Sequence, residues 1–168
     1  QFIFFFLRYF WFYTFKLTAS TTSLSSLPFS NQAEIYNSIV SRLVEGCFKG
    51  YNATVFAYGQ TGSGKTHSIV GLPHDEDEEG IIPRAVRHMF DTLENAQQTE
   101  SISLVSVHVS FLEIYNEECR DLLHTDIPSR DIMIREDRDG RIFFTGAREE
   151  VVNGADAALK YLEVGNLQ

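Results

Sequence analysis

Apolar and polar positions follow a helical period in the segment that begins near residue 31. Its apolar face recurs every three or four residues and comprises Ile35, Ile39, Leu43, Val44 and Cys47. Ser30 or Asn31 is suited to cap the start of such a helix, and Gly46 and Gly50 are suited to end it. The pattern therefore predicts an amphipathic helix between these residues.

Two further segments carry a helical period. "PRAVRHMFDTLENA" begins with Pro83, a residue favoured in the first turn of a helix. Its predicted inward positions are Ala85, Val86, Met89, Phe90 and Leu93. "NGADAALKYLEVGN" has Asn153 as a candidate cap and Gly165 as a candidate end. We expect one helix in each segment.

Other segments have the composition of strands. "ATVFAYG" (53–59) is apolar almost throughout, as in a strand that a parallel sheet covers on both faces. Alternation in "SISLVSVHVSFLEIYN" predicts a long strand, and "DIMIREDRDGRIFFTG" predicts two strands joined at Asp139-Gly140. Between them, "EECRDLL" is predicted to be a short helix with Glu117 and Glu118 at its start. Helices that alternate with apolar strands indicate an α/β fold.

Residues 1–28 differ from the rest of the chain. Seven of the fourteen phenylalanines lie within the first fifteen residues. A membrane helix needs about 20 apolar residues, and Arg8 and Lys16 interrupt this run; the order of features also differs from that of a signal peptide. Three interpretations remain open: a segment that is not native to the domain, a buried strand, or a membrane element. No function is assigned to it.

Bulk composition narrows the class of protein. The 168 residues are enough for one domain with a buried core, and 43% hydrophobic and 22% charged residues are ordinary for a globular chain. The net charge of −9 argues against nucleic acid as a partner, because phosphate backbones bind basic surfaces. Cys47 and Cys119 have no metal-ligand spacing, so both are expected to be reduced core residues.

Residues 59–66 match the phosphate-loop pattern G-x-x-x-x-G-K-[ST] at every fixed position. Glycines allow the backbone to curl so that several N–H groups face one anion. Lys65 would reach the β- and γ-phosphates of a nucleotide, and the Thr66 hydroxyl would join the shell of a Mg²⁺ ion. The candidate phosphate contacts are Gly59, Gln60, Thr61, Gly62, Ser63, Gly64, Lys65 and Thr66.

Hydrolysis of the nucleotide requires further groups, namely an Asp that supports Mg²⁺ at the end of another strand and a residue that positions water. No apolar run after residue 66 ends in Asp, and the long strand ends at Glu113-Ile114-Tyr115. The five histidines show no ligand or triad spacing. Five consecutive acids at 75–79 are interpreted as a solvated loop tip. We therefore expect phosphate binding and assign no catalytic residue within this chain.

Four motifs, taken in order, resemble the kinesin motor domain. They are "GYNATVFAYGQTGSGKTH", "GIIPRAV", "VSFLEIYNEECRDLL" and "DIMIREDRDGRIFFTGAREEVV", the last followed by "ALKYLEVGN". The resemblance covers about residues 29–168, which would be the N-terminal part of a motor domain, and "SRDIMIREDRDGR" is most similar to the kinesin-4 branch. It implies a P-loop NTPase fold of kinesin motor type, with a central mixed sheet, helices on both faces and incomplete ends.

The resemblance also implies cofactors and a partner. ATP and Mg²⁺ would occupy the loop, with Thr66 as a metal ligand and His67 beside the adenine ring. The partner would be the microtubule, with Arg138, Arg141 and Arg148 as candidate contacts; ordinary surface arginines are the alternative. The implied location is the cytoplasm and the cytoskeleton. Neither nucleic acid nor a membrane is expected as a partner.

The sequence also departs from the family pattern. The first strand, with its Arg-x-Arg-Pro-type adenine contacts, is absent before residue 29, and both switch motifs are absent from the 168 residues. The complete parent is expected to hydrolyse ATP and move on microtubules, whereas the fragment alone is expected to be inactive. Two alternatives stay open: a truncated nucleotide-binding module without hydrolysis, and a small-molecule kinase with the same loop.

Overall fold

The computed structural model describes residues 31–72, 75–98, 105–140 and 142–166, together with the backbone of residues 2–9. The chain divides into two compact units. We call residues 11–103 the loop unit, and residues 1–10 with 104–168 the sheet unit. Across the described residues, no helix has the length and apolarity needed to span a membrane.

The first helix of the loop unit begins after Asn31, whose side chain caps it. Asn31 Oδ1 accepts the backbone N–H of Glu34 at 2.8 Å, and the Glu34 carboxylate accepts the N–H of Asn31 at 3.4 Å. The helix has an α-helical segment Gln32–Ile35, a π-helical segment Tyr36–Val40 and an α-helical segment Ser41–Cys47. The predicted helix and its cap at Asn31 are therefore confirmed.

The buried face of this first helix differs from the predicted face. The fully buried positions are four residues apart: Gln32, Tyr36, Val40 and Val44. Of the predicted apolar face, only Val44 is fully buried. A π-helical turn holds more residues than the 3.6 of an α-helical turn. The π segment therefore rotates the inward stripe to a spacing of four and brings the polar Gln32 into it.

A long helix, Ile81–Gln98, follows in the loop unit. Of the five predicted inward residues, Val86, Met89 and Leu93 are buried, while Ala85 and Phe90 are only partly buried. It contacts the first helix, where Tyr36 Oη lies 2.8 Å from His88 Nδ1 with the two rings edge to face. Burial raises the pKa of Tyr36 to about 12, so this phenol stays protonated over the physiological range.

The strand predicted at 53–59 is absent from the structure. Residues 52–59 adopt neither helix nor strand, and Val55, Phe56 and Tyr58 are 41%, 64% and 88% exposed. A strand that is covered on both faces needs neighbouring strands to pair its backbone. The described residues of the loop unit contain no strand that could do so. Apolar composition alone was therefore an insufficient signal.

In the sheet unit, the central strand is β2 (Val107–Tyr115), which confirms the predicted long strand. β1 (Phe2–Tyr9) pairs antiparallel along one edge of it, and the other edge carries β3 (Glu118–Asp121) and β6 (Glu150–Val152). For residues 2–9 the backbone matches the strand interpretation, whereas residues 10–28 lie outside the described part of the chain. Every pairing between the described strands is antiparallel.

The short helix predicted at "EECRDLL" is wrong, because this segment forms β3. Asn116 and Glu117 have φ values of 50° and 64°, and Tyr115 pairs with Glu118. Two left-handed residues between paired strand ends form a tight hairpin turn whose twist suits the sheet. Glu117 and Glu118 therefore lie in and after a turn rather than in a first helical turn.

Asp121 ends β3 and is only 2% exposed. Its Oδ1 accepts the backbone N–H groups of Leu123 and His124, each at 2.9 Å, and its Oδ2 accepts that of Arg148 at 3.0 Å. Three donors satisfy this buried carboxylate and hold together two loops of the sheet unit.

The predicted hairpin is confirmed as β4 (Met133–Glu136) paired with β5 (Ile142–Thr145). The last helix is Ala155–Asn166. Gly165, predicted as its end, lies inside it and packs on Phe111 of β2, which is 1% exposed. A Cβ at Gly165 would overlap the Phe111 ring. The absence of a side chain therefore permits the helix to lie close to the sheet.

We expect Gly165→Ala to lower the free energy of unfolding by about 1–3 kcal/mol, because overpacking outweighs the gain in helix propensity. Gly154→Ala is the matched control, since no atom lies within 4 Å of a Cβ built there. Chemical denaturation of the full chain measures both. An increase in stability for Gly165→Ala would show that the contact with Phe111 does not limit helix packing.

Candidate functional site

Residues 59–66 form a tight turn that leads directly into the helix Lys65–Ile69. Gly62 and Gly64 have φ values of 81° and 88°, in the left-handed region that glycine adopts without strain. No atom lies within 4 Å of a Cβ built at either residue, so both face open space. The helix begins at Lys65, and the two glycines leave the mouth of the loop accessible to a ligand.

Gly59 marks the start of the turn for a different reason. A Cβ at this position would overlap the Ser63 side chain, because the turn brings the two residues together. The N–H of Ser63 donates to the carbonyl of Gln60 at 3.1 Å and closes the turn. A side chain at Gly59 would force Ser63 to move, whereas a side chain at Gly62 or Gly64 would strain the backbone.

The Lys65 side chain folds back over the loop. Its Nζ donates to the carbonyl oxygens of Gly59 and Gln60, each at 2.8 Å. These bonds hold a positive charge at the loop and leave the ammonium without a carboxylate partner among the described residues. Anionic acceptors form stronger hydrogen bonds with an ammonium group than neutral carbonyls do. A phosphate oxygen could therefore compete for this donor.

Thr66 follows Lys65 and is exposed. Its hydroxyl is a suitable oxygen donor for Mg²⁺, which is bound by few protein ligands together with substrate phosphates and water. Within the described residues, no group of three or more His, Cys, Asp or Glu side chains forms a metal site. The exposed hydroxyl of Thr66 is the oxygen ligand that this loop offers to the ion.

His67 has contacts on both sides of its ring. Gln32 Nε2 lies 2.9 Å from His67 Nδ1 and donates to the His67 carbonyl at 2.7 Å. On the other side of the ring, His67 Nε2 lies 3.2 Å from Glu78 Oε2. His67 therefore contacts Gln32 and Glu78, neither of which the motif indicated. No local sequence signal indicated Gln32, because the π-helical segment brings it into the inward stripe.

The acidic segment 75–79 is not simply a solvated tip. Asp75, Glu76 and Asp77 are exposed, but Glu78 and Glu79 are partly buried. The Arg84 side chain donates to three backbone carbonyls of the segment, those of Glu76, Asp77 and Glu79, at 2.7, 3.1 and 2.9 Å. The segment is therefore anchored to the long helix.

Gly71 and Gly80 lie where the chain enters and leaves this acidic segment, and the two backbone stretches meet there. The N–H of Gly80 donates to the Val70 carbonyl at 3.1 Å, and Leu72 N–H donates to the Glu78 carbonyl at 3.0 Å. A Cβ at Gly71 or Gly80 would overlap the facing backbone. This crossing sets the position of Glu78 relative to the phosphate-loop helix.

The three arginines predicted as partner contacts are not equivalent. Arg138 is exposed in the turn of the β4–β5 hairpin, whereas Arg141 lies outside the described residues. Arg148 lies beyond the hairpin, with its guanidinium 3.6 Å from Asp126 Oδ2 and its backbone N–H on Asp121. The hairpin thus presents Arg138, while Arg148 has a local carboxylate partner.

Known proteins resemble this chain over most of its length. A family model described as the kinesin motor domain matches residues 13–168. The kinesin-like protein KIF7 of Mus musculus is 46% identical over 141 residues, which are 82% of this chain and 10% of that protein. KIN-5A of Arabidopsis thaliana is 41% identical over 151 residues, which are 83% of this chain and 14% of that protein.

The solved structure of a fast kinesin aligns with a TM-score of 0.72 and 30% identity, covering 82% of this chain and 38% of that one. This likeness confirms the α/β P-loop NTPase fold of kinesin motor type. The chain spans about a tenth of the length of these curated relatives. The family model, the sequence identity and the fold lead to one conclusion: the chain belongs to the kinesin motor domain family.

Proposed function

We propose that the chain binds ATP with Mg²⁺ at residues 59–66 and forms the nucleotide-binding part of a microtubule motor. The observation that carries the proposal is the Lys65 ammonium, which lies on the carbonyls of Gly59 and Gln60 at the mouth of a loop whose glycines face open space. Kinesin motor domains bind ATP with Mg²⁺, and membership of the family supports the same ligand here.

The proposed roles follow from the chemistry of each group. Gly59, Gln60, Thr61, Gly62, Ser63 and Gly64 supply the backbone that surrounds the phosphates. Lys65 neutralises the β- and γ-phosphates, Thr66 contributes its hydroxyl to Mg²⁺, and His67 lies beside the base. Mg²⁺ would supply charge neutralisation at the phosphates when bound.

Replacement of Lys65 tests the proposed site. We expect Lys65→Ala to weaken binding of MgATP by about 30-fold or more, because a charge-assisted contact with phosphate is lost. Lys49→Ala is the matched control, since Lys49 is an exposed lysine of the same unit. Titration of the full chain with a fluorescent ATP analogue measures both. Equal affinities of Lys65→Ala and the unmodified chain would exclude this loop as the nucleotide site.

We also propose that the complete protein hydrolyses ATP and moves on microtubules in the cytoplasm. Residues 29–168 would form the N-terminal part of its motor domain, and residues 1–28 receive no function. The sequence of residues 129–141 supports the assignment of the chain to the kinesin-4 branch. Exposure of Arg138 in the hairpin turn supports a contact with the acidic tubulin surface, with Arg141 and Arg148 as further contacts.

Charge reversal at the hairpin turn tests the partner. We expect Arg138→Glu in the complete protein to weaken co-sedimentation with microtubules several-fold at low salt, and added salt to reduce the difference, because exposed charges are screened. Arg42→Glu, on the exposed side of the first helix, is the control. If the two variants bind microtubules equally well, the hairpin arginine is an ordinary surface residue.

A further inference from the structure

The contacts of Gln32 with His67 fix which atoms of both side chains carry hydrogen. Gln32 Nε2 donates to the His67 carbonyl at 2.7 Å, and the opposite amide orientation would place two oxygens at that distance. The nitrogen that faces His67 Nδ1 at 2.9 Å is therefore a donor. Nδ1 must be the acceptor, so the neutral ring carries its proton on Nε2.

Glu78 completes the arrangement on the other side of the ring. The protonated Nε2 faces Glu78 Oε2 at 3.2 Å, and a carboxylate accepts hydrogen bonds only. The backbone of the acidic segment is held by Arg84, and Glu79 pairs with Arg87 at 2.9 Å. The acceptor of the His67 proton is thus carried on an anchored loop rather than on a free one.

Gln32 has no other evident reason to be buried. It is 6% exposed, and its Oε1 has no hydrogen-bond partner among the described residues. A buried unpaired amide oxygen destabilises the folded state, and an apolar residue would avoid this cost. The glutamine offsets this cost through the two hydrogen bonds of its nitrogen, both of which are made to His67.

We propose that Gln32 and Glu78 are positioning residues of the nucleotide site, which hold the His67 ring in one tautomer and one orientation so that it discriminates purine from pyrimidine nucleoside triphosphates. This inference rests on the proposed function of residues 59–67. Contacts at both nitrogens favour one orientation of the ring, and therefore one face toward a base. The first helix and the acidic segment thereby influence base selection through the His67 ring, without contacting the phosphates themselves.

The test compares MgATP with MgUTP in the full chain. We expect Gln32→Leu and Glu78→Ala each to weaken MgATP binding by about three- to ten-fold, the worth of one hydrogen bond, and to leave MgUTP within about two-fold. Glu76→Ala removes an equal charge from the same loop and serves as the control, because the described contacts of the His67 ring are with Gln32 and Glu78. On a His67→Ala background, Gln32→Leu should have almost no further effect, since coupled residues are not additive.

A spectroscopic readout separates positioning from general loss of structure. In ¹⁵N-labelled protein, the His67 ring should show the pattern of a proton fixed on Nε2, and Gln32→Leu should shift it toward a mixture of tautomers. Unchanged His67 signals, or equal losses for the two nucleotides, would overturn the inference. Because Gln32 is buried, Glu78→Ala on the surface loop provides the same test in a variant that leaves the core intact.

Lys65→Ala distinguishes this inference from the function on which it rests. If Lys65→Ala removes binding of both nucleotides while Gln32→Leu and Glu78→Ala change neither affinity nor the His67 signals, only the positioning roles are wrong. If Lys65→Ala leaves both affinities unchanged, the nucleotide site itself is wrong and the positioning roles fall with it.

Discussion

The Lys65 ammonium donates to the carbonyls of Gly59 and Gln60, and this pair of bonds holds a positive charge at the loop. It places a full positive charge against two neutral dipoles, which are weaker partners than an anion. The glycines at 62 and 64 meanwhile turn the backbone outward in conformations that a side chain would strain. Under the proposed function, charge and backbone conformation would act together on a phosphate group.

Other elements of the loop unit contact the residues that follow the phosphate loop. The first helix reaches the loop through Gln32, and its π-helical turn brings that glutamine into the inward stripe. The long helix reaches it through Arg84, which holds the acidic segment, and the segment presents Glu78 to His67. Three elements that are distant in sequence thus converge on the residue that follows Thr66. The acidic residues serve as structural contacts in part, and not only as a hydrated surface.

Elements with a clear local pattern were predicted correctly, whereas features that depend on pairing with other segments were not. Periodicity predicted the helices at 32–47 and 81–98, and the P-loop motif predicted the turn before Lys65. The strand at 118–121 was missed because its pairing with β2 overrides local helical preference, and because the left-handed Glu117 gives no sequence signal. The apolar run at 53–59 indicated burial, but pairing depends on neighbouring strands. The contacts of His67 join it to Gln32, 35 positions before it, and to Glu78, 11 positions after it, and no local pattern encodes either contact.

The most direct measurement is the change in backbone amide ¹H–¹⁵N signals of the full chain when MgADP is added. The account predicts that the largest changes occur at residues 60–66, with the amides of Gly62 and Gly64 moving most because they face the open mouth of the loop. Changes concentrated in the sheet unit, with the amides of 60–66 unmoved at saturation, would contradict the assignment of this loop as the phosphate site.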